Sequence, residues 1–157
     1  MALLPTPSEY FHLSQAVSYA KRGSGLSAWQ VHLTTPNDQY SAGYIACAFR
    51  NEQTKHIVIA STILNSHSNE ALPQQRELDT ILDRAYTFAN FIIAWAQKNG
   101  HTVSFTGYAL GAIPAEQCAL THNVHAVVFQ SPAYQGVVTG MAPTSDKVVK
   151  YSISFNQ

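Results

Sequence analysis

The chain has 157 residues, 46% apolar and 11% charged, and its nine Lys and Arg balance its nine Asp and Glu. That length is one domain with room for a substantial core. A charged share below half the ~25% usual for soluble domains describes buried strands under a weakly charged surface, which favours self-association. Zero net charge without a basic stripe excludes a phosphate-tracking nucleic-acid binder. No apolar run approaches the ~18 residues of a membrane span and no leader pattern opens the chain. The cytoplasm is therefore the default compartment, with signal-peptide-independent export as the alternative.

Ser8 is placed to cap a first helix through Lys21 and Arg22, with Tyr10, Leu13, Val17 and Ala20 at helical spacing and Gly23 after them. A Gly-containing loop leads to Trp29 and the polar turn Thr35-Pro-Asn-Asp38. Residues 43–50 and 56–60 read as two strands joined by the polar 51–55 connection, and so as antiparallel neighbours. After a loop over 61–73, residues 76–99 form the longest helix, with Leu78, Ile81, Leu82, Ala85, Ala89, Ile92 and Ala96 on one face. Asn99-Gly100 stops it.

A strand over 101–106, a sharp turn at Gly107, a helix over 110–120, a strand over 124–129 and a last strand over 148–153 complete the order. Pro114 falls in the first turn of the 110–120 helix, where its missing N–H costs little. Strands and helices in alternation, with apolar strands, predict an α/β fold: a mainly parallel sheet with flanking helices, entered through an antiparallel pair.

The informative stretch is Val103-Ser-Phe-Thr-Gly107-Tyr108-Ala109-Leu110-Gly111-Ala112. It runs strand, G-x-A-x-G, helix, the frame of the nucleophile elbow with Ala in place of Ser. Small flanking residues let the chain turn sharply, so the middle residue projects at a helix N-terminus, where backbone N–H groups can hold an oxyanion. Here the sequence resembles the class 3 lipase family, whose elbow commonly reads T-G-H-S-L-G-G; Thr106, Gly107, Leu110 and Gly111 match it. Residues 48–54 with 57–60 resemble that family's early hairpin, and 127–133 its strand after the elbow helix. The resemblance implies an α/β-hydrolase fold in one domain over 1–157, continuing past the 148–153 strand in the complete form.

Three departures from that family bear on activity. Ala109 has no hydroxyl, so no acyl-enzyme forms there. Where the family carries an Arg-Gly-Thr or Arg-Gly-Ser oxyanion segment, this chain reads Ser61-Thr62-Ile63-Leu64. After Ala109 the carboxylates are Glu116 and Asp146, and no His follows Asp146. His122 and His125 are expected at the end of the sheet away from the elbow. Leu110, Tyr108, Ser61, Thr62 and Ser131 are the candidate oxyanion and pocket residues, with Tyr108 more simply a packing residue.

The remaining residues read as structure. The seven histidines (12, 32, 56, 67, 101, 122 and 125) are scattered without metal spacing beside a carboxylate, so no metal and no cofactor is expected. Cys47 and Cys118 read as buried thiols, Trp29 and Trp95 as core anchors, and Asp79 with Asp83 as a solvated helix face. Three functions stand open: a lipase-like pseudoenzyme acting through an apolar or acyl ligand or a protein partner; a carboxylic-ester hydrolase written in a shortened Ser-to-Ala form; and an assembly module using an open sheet edge.

Overall fold

The computed structural model describes residues 4–17, 25–26, 28–35, 43–63, 75–130 and 147–152. Its elements are α1 (Pro7–Ala16), β1 (Gly25–Leu26), β2 (Trp29–Thr34), β3 (Tyr44–Asn51), β4 (His56–Ile63), α2 (Gln75–Lys98), β5 (Thr102–Tyr108), a turn of 3-10 helix (Ala109–Gly111), α3 (Ala112–His122), β6 (Ala126–Phe129) and β7 (Val148–Tyr151). The seven strands make one sheet in chain order. β1 to β4 pair antiparallel, and β4 to β7 pair parallel. This is a mixed α/β sheet, entered through antiparallel strands and continued in parallel ones, as the order of apolar segments implies.

The period of two along each strand sorts the core into two layers. Tyr44, Ala46, Ala48, Ile57, Ile59, Phe105, Ala126 and Val128 face α2 and α3, where they meet Ile81, Ala85, Ala89, Ile92, Ala115 and Cys118. Ile45, Cys47, Phe49, Val58, Ala60 and Phe129 face α1 and meet Tyr10, Leu13, Ala16 and Val17. β3 and β4 are therefore covered on both sides, which is why they read as nearly unbroken apolar runs.

Several boundaries differ from the sequence reading. Ser8 does not cap α1. Thr6 does, through a reciprocal pair in which its hydroxyl accepts from Glu9 N–H at 3.1 Å and the Glu9 carboxylate accepts from Thr6 N–H at 3.1 Å. Pro7 occupies the first helical position, where a missing N–H is harmless. The helix ends at Ala16, and the expected continuation over 18–22 lies outside the described residues. β2 is a further strand, over residues that the sequence pattern assigns to no element. Trp29 and Val31 are buried from it, and its register against β3 shifts between Val31 and Leu33. β4 runs on through Ile63, so Ser61 and Thr62 are strand residues, not loop.

Trp29 is a core anchor, 4% exposed, and its indole N–H donates to the Glu9 carboxylate at 3.0 Å, tying β2 to α1. Trp95 is only half-buried and makes tilted ring contacts with His32 (centroids 4.3 Å) and His101 (5.1 Å). Both thiols are buried, and burial pushes each up to about 12. Among the described residues β7 has a neighbour on one side only, and no helix is long and apolar enough to cross a membrane.

Candidate functional site

β5 ends at Tyr108 in extended conformation (φ −122°, ψ 134°), and Ala109 then takes φ 55° before the chain winds into α3. A left-handed backbone on a residue with a Cβ costs about 1–2 kcal/mol and persists only where its surroundings enforce it. The two flanking glycines do so. A Cβ on Gly107 would sit 2.3 Å from the Gly111 carbonyl oxygen; a Cβ on Gly111 would sit 2.3 Å from the Ser61 carbonyl oxygen and 2.9 Å from Thr62 Cα. The G-x-A-x-G spacing is thus a steric requirement: strand, turn, helix and the end of β4 meet backbone to backbone.

This packing brings Gly107, Ala109, Leu110, Gly111, Ser61 and Thr62 to one place, at the C-terminal ends of β4 and β5. Their side chains are less available than their positions imply. Leu110 is 7% exposed and packs with Leu78, Leu82 and Ile113. The Ser61 hydroxyl is buried against the Tyr44 hydroxyl at 3.3 Å. The Tyr108 ring meets Phe11 edge-on, centroids 6.3 Å apart, in the packing role expected of it. Ser131 lies outside the described residues, as do Asp146 and Leu64. Glu116 is 2% exposed and faces Lys150 of β7 at 3.1 Å, so it serves the sheet edge.

The opposite ends of the same strands hold the histidines. His56 opens β4, His101 precedes β5, and His122 and His125 flank the turn before β6; all four line a cavity of about 500 Å³ there. Beside it runs a buried polar chain that the sequence did not disclose. The Tyr10 hydroxyl donates to Ser104 Oγ at 2.8 Å, Ser104 Oγ lies 2.7 Å from His56 Nε2, and His56 Nδ1 lies 2.6 Å from Thr102 Oγ1. A neutral imidazole protonated at Nδ1 satisfies every link, Ser104 donating to Nε2 and Nδ1–H donating to Thr102. Burial, with His125 and His101 adding to it, pushes His56 down to about 4. This is a serine–histidine pair, yet Ser104 is 0% exposed and His56 1%, so both side chains are buried. In the β4–β5 register His56 lies opposite Thr102, with Ser104 two residues on along the same face. Among the described residues no group of three or more His, Cys, Asp or Glu side chains could hold a metal ion.

A second concavity, about 300 Å³, opens between α2 and the corner where β2 ends and β3 begins; its lining includes Leu33, Tyr44, Arg84, Phe88 and Phe91.

In overall structure the chain is similar to the Lip2 lipase of Yarrowia lipolytica, with a TM-score of 0.63 at 11% identity, covering 92% of this chain and 70% of that one. It is also similar to a triacylglycerol lipase of Penicillium expansum, with a TM-score of 0.52 at 15% identity, covering 96% of this chain and 71% of that one. No protein-family model and no curated protein matches the chain. At these identities the likeness establishes the fold: a lipase-like α/β-hydrolase sheet with flanking helices.

Proposed function

We propose that this lipase-like fold works as a pseudoenzyme, binding an apolar or acyl-bearing ligand and performing no ester hydrolysis at its elbow. One observation carries the reading. Ala109 occupies the apex of a strained strand-to-helix turn at φ 55°, between two glycines that admit no Cβ, and its methyl group offers no nucleophile. In the lipase frame this is the position of the attacking hydroxyl, so geometry is kept where chemistry is missing. Two further features support the reading. The histidines His56, His101, His122 and His125 line a cavity at the far ends of the strands, and the β4 end beside the elbow offers Ser61 and Thr62 in regular strand pairing.

The test is the Ala109→Ser variant assayed on p-nitrophenyl butyrate. The expected outcome is hydrolysis no faster than in wild type, because a hydroxyl with no general base beside it among the described residues remains a weak nucleophile. Multiple turnovers above that background would mean that the chain is an ester hydrolase carrying Ala at its nucleophile position.

A second reading, assembly through the sheet edge, has its own support. β7 is exposed from Val149 to Tyr151, with Val149 and Tyr151 each 39% exposed, and an open apolar edge pairs readily with another chain. Light scattering across a hundredfold concentration range should show a dimer; a monomer throughout removes this reading.

A further inference from the structure

We infer that α1 is an acid-released strap: proton uptake at His56, with Glu9 adding to it, frees this helix from the sheet before the layer of α2 and α3 yields. The two sides of the sheet are held differently. β5 turns Val103 and Phe105 to the α2 and α3 side, and Thr102, Ser104 and Thr106 to the α1 side. α1 thus meets β5 through hydroxyls. Its Tyr10 hydroxyl donates to Ser104 Oγ, and its Glu9 carboxylate accepts from the Trp29 indole of β2. Phe11 carries the same helix over the elbow end, edge-on to Tyr108 and, with centroids 5.2 Å apart, to Phe129. Release bares the α1 side of the sheet, where Val31, Cys47, Phe49 and Val58 cluster with Tyr10 and Leu13.

With His56 neutral, Ser104 accepts from Tyr10 and donates to His56 Nε2. A proton on Nε2 reverses that link. The Ser104 hydroxyl hydrogen then loses its acceptor, beside a charge cut off from water. His125 and His101 face His56 and disfavour its charge further. Lys147 lines the same cavity, its ammonium on the Asn123 carbonyl at 2.9 Å, as does His122, which burial holds below its ordinary value. The Glu52 carboxylate, 3.4 Å from His101, is engaged by Arg50 at 2.7 Å and by Lys55 at 3.0 Å. From α1 and β2 come the neutral Tyr10 hydroxyl and the Trp29 ring. Water is close by, because His56 lies on the wall of the cavity of about 500 Å³ together with Leu4, just ahead of α1. Burial raises the Glu9 carboxyl, but hydrogen bonds from Thr6 and Trp29 outweigh it and hold this group below its ordinary value. Both groups are therefore depressed while α1 is docked. Each takes up its proton more readily once the helix has left, so the strap weakens as pH falls.

Hydrogen exchange read by mass spectrometry, corrected for intrinsic rates and run from pH 7.5 to 4.5, tests the strap. Protection of α1 should fall about fiftyfold over this range. At pH 4.5 α3 should remain at least about tenfold better protected than α1. The two thiols report the same event from opposite sides of the sheet, since Cys47 belongs to the α1 layer and Cys118 to the other. At pH 4.5 dithiodipyridine should modify Cys47 at least about tenfold faster than Cys118. His56→Gln keeps an acceptor and a donor without the titration, and should hold the fall in α1 protection to within about threefold. Constant α1 protection across the range, loss of protection in α1 and α3 together, equal reactivity of the two thiols, or a fall in His56→Gln as large as in wild type would each overturn the inference.

Discussion

At the C-terminal ends of β4 and β5 the chain relies on Ser61, Gly107, Ala109 and Gly111, and on backbone meeting backbone with no room for a Cβ at either glycine. At the N-terminal ends of the same two strands it relies on His56, Thr102, Ser104 and, from α1, Tyr10, joined by hydrogen bonds of 2.6–2.8 Å. Ligands of α/β sheets bind outside the carboxyl ends of the strands. In this molecule that end carries shape without titratable side chains at its apex. Among the described residues a Tyr10–Ser104–His56 chain lies at the other end, buried, where it holds α1 to the sheet. Ser104 and His56 are both buried, so this serine–histidine pair serves stability.

The comparison is broken most severely by adding one methyl group at the elbow. Gly111→Ala sets a Cβ 2.3 Å from a carbonyl of β4, backbone that cannot yield without moving the strand. The expected loss is more than about 3 kcal/mol in urea unfolding. A loss under 1 kcal/mol would mean that the turn is loose.

Acid should break the other end. His56 is pushed down from 6.5 to about 4 by burial beside His125 and His101, so the unfolded chain takes up its proton first. The stability this residue contributes is complete above pH 6.5 and drains away as pH falls toward 4, by about 3 kcal/mol in all. Unfolding free energies measured from pH 7.5 down to 4.5 should fall through this window; a flat profile would place His56 in contact with water.

Ser104→Ala is the finer probe. It leaves the Tyr10 hydroxyl and His56 Nε2 buried without their shared partner, at an expected cost of about 2 kcal/mol. It should also raise proton exchange in α1 while leaving the elbow unchanged, and uniform loosening of both ends would contradict the division between them.

The sequence carried the strand order, the antiparallel entry and the elbow because each rests on local pattern: apolar runs for two-sided strands, glycine spacing for a turn that admits no Cβ. β2 escaped because its alternation is short and its register shifts between Val31 and Leu33. The Thr6 cap escaped because Ser8 has the same chemistry two residues on, and only the Glu9 partner at the third helical position separates them. The Tyr10–Ser104–His56 chain and the groove at Arg84 were illegible because each joins elements far apart in sequence, with contacts that span |i−j| of 94 in the first case. Nothing along the chain encodes such a meeting until the sheet is assembled.

The central claim is that the elbow keeps its turn and lacks a working nucleophile. The most direct test is intact-mass measurement of the Ala109→Ser variant after incubation with a fluorophosphonate, which reacts only with an activated serine hydroxyl. The expected result is an unmodified mass, the same as for the wild-type chain treated alongside. A stoichiometric adduct mapped to position 109 would contradict the claim, because it would require an activating base beside the elbow.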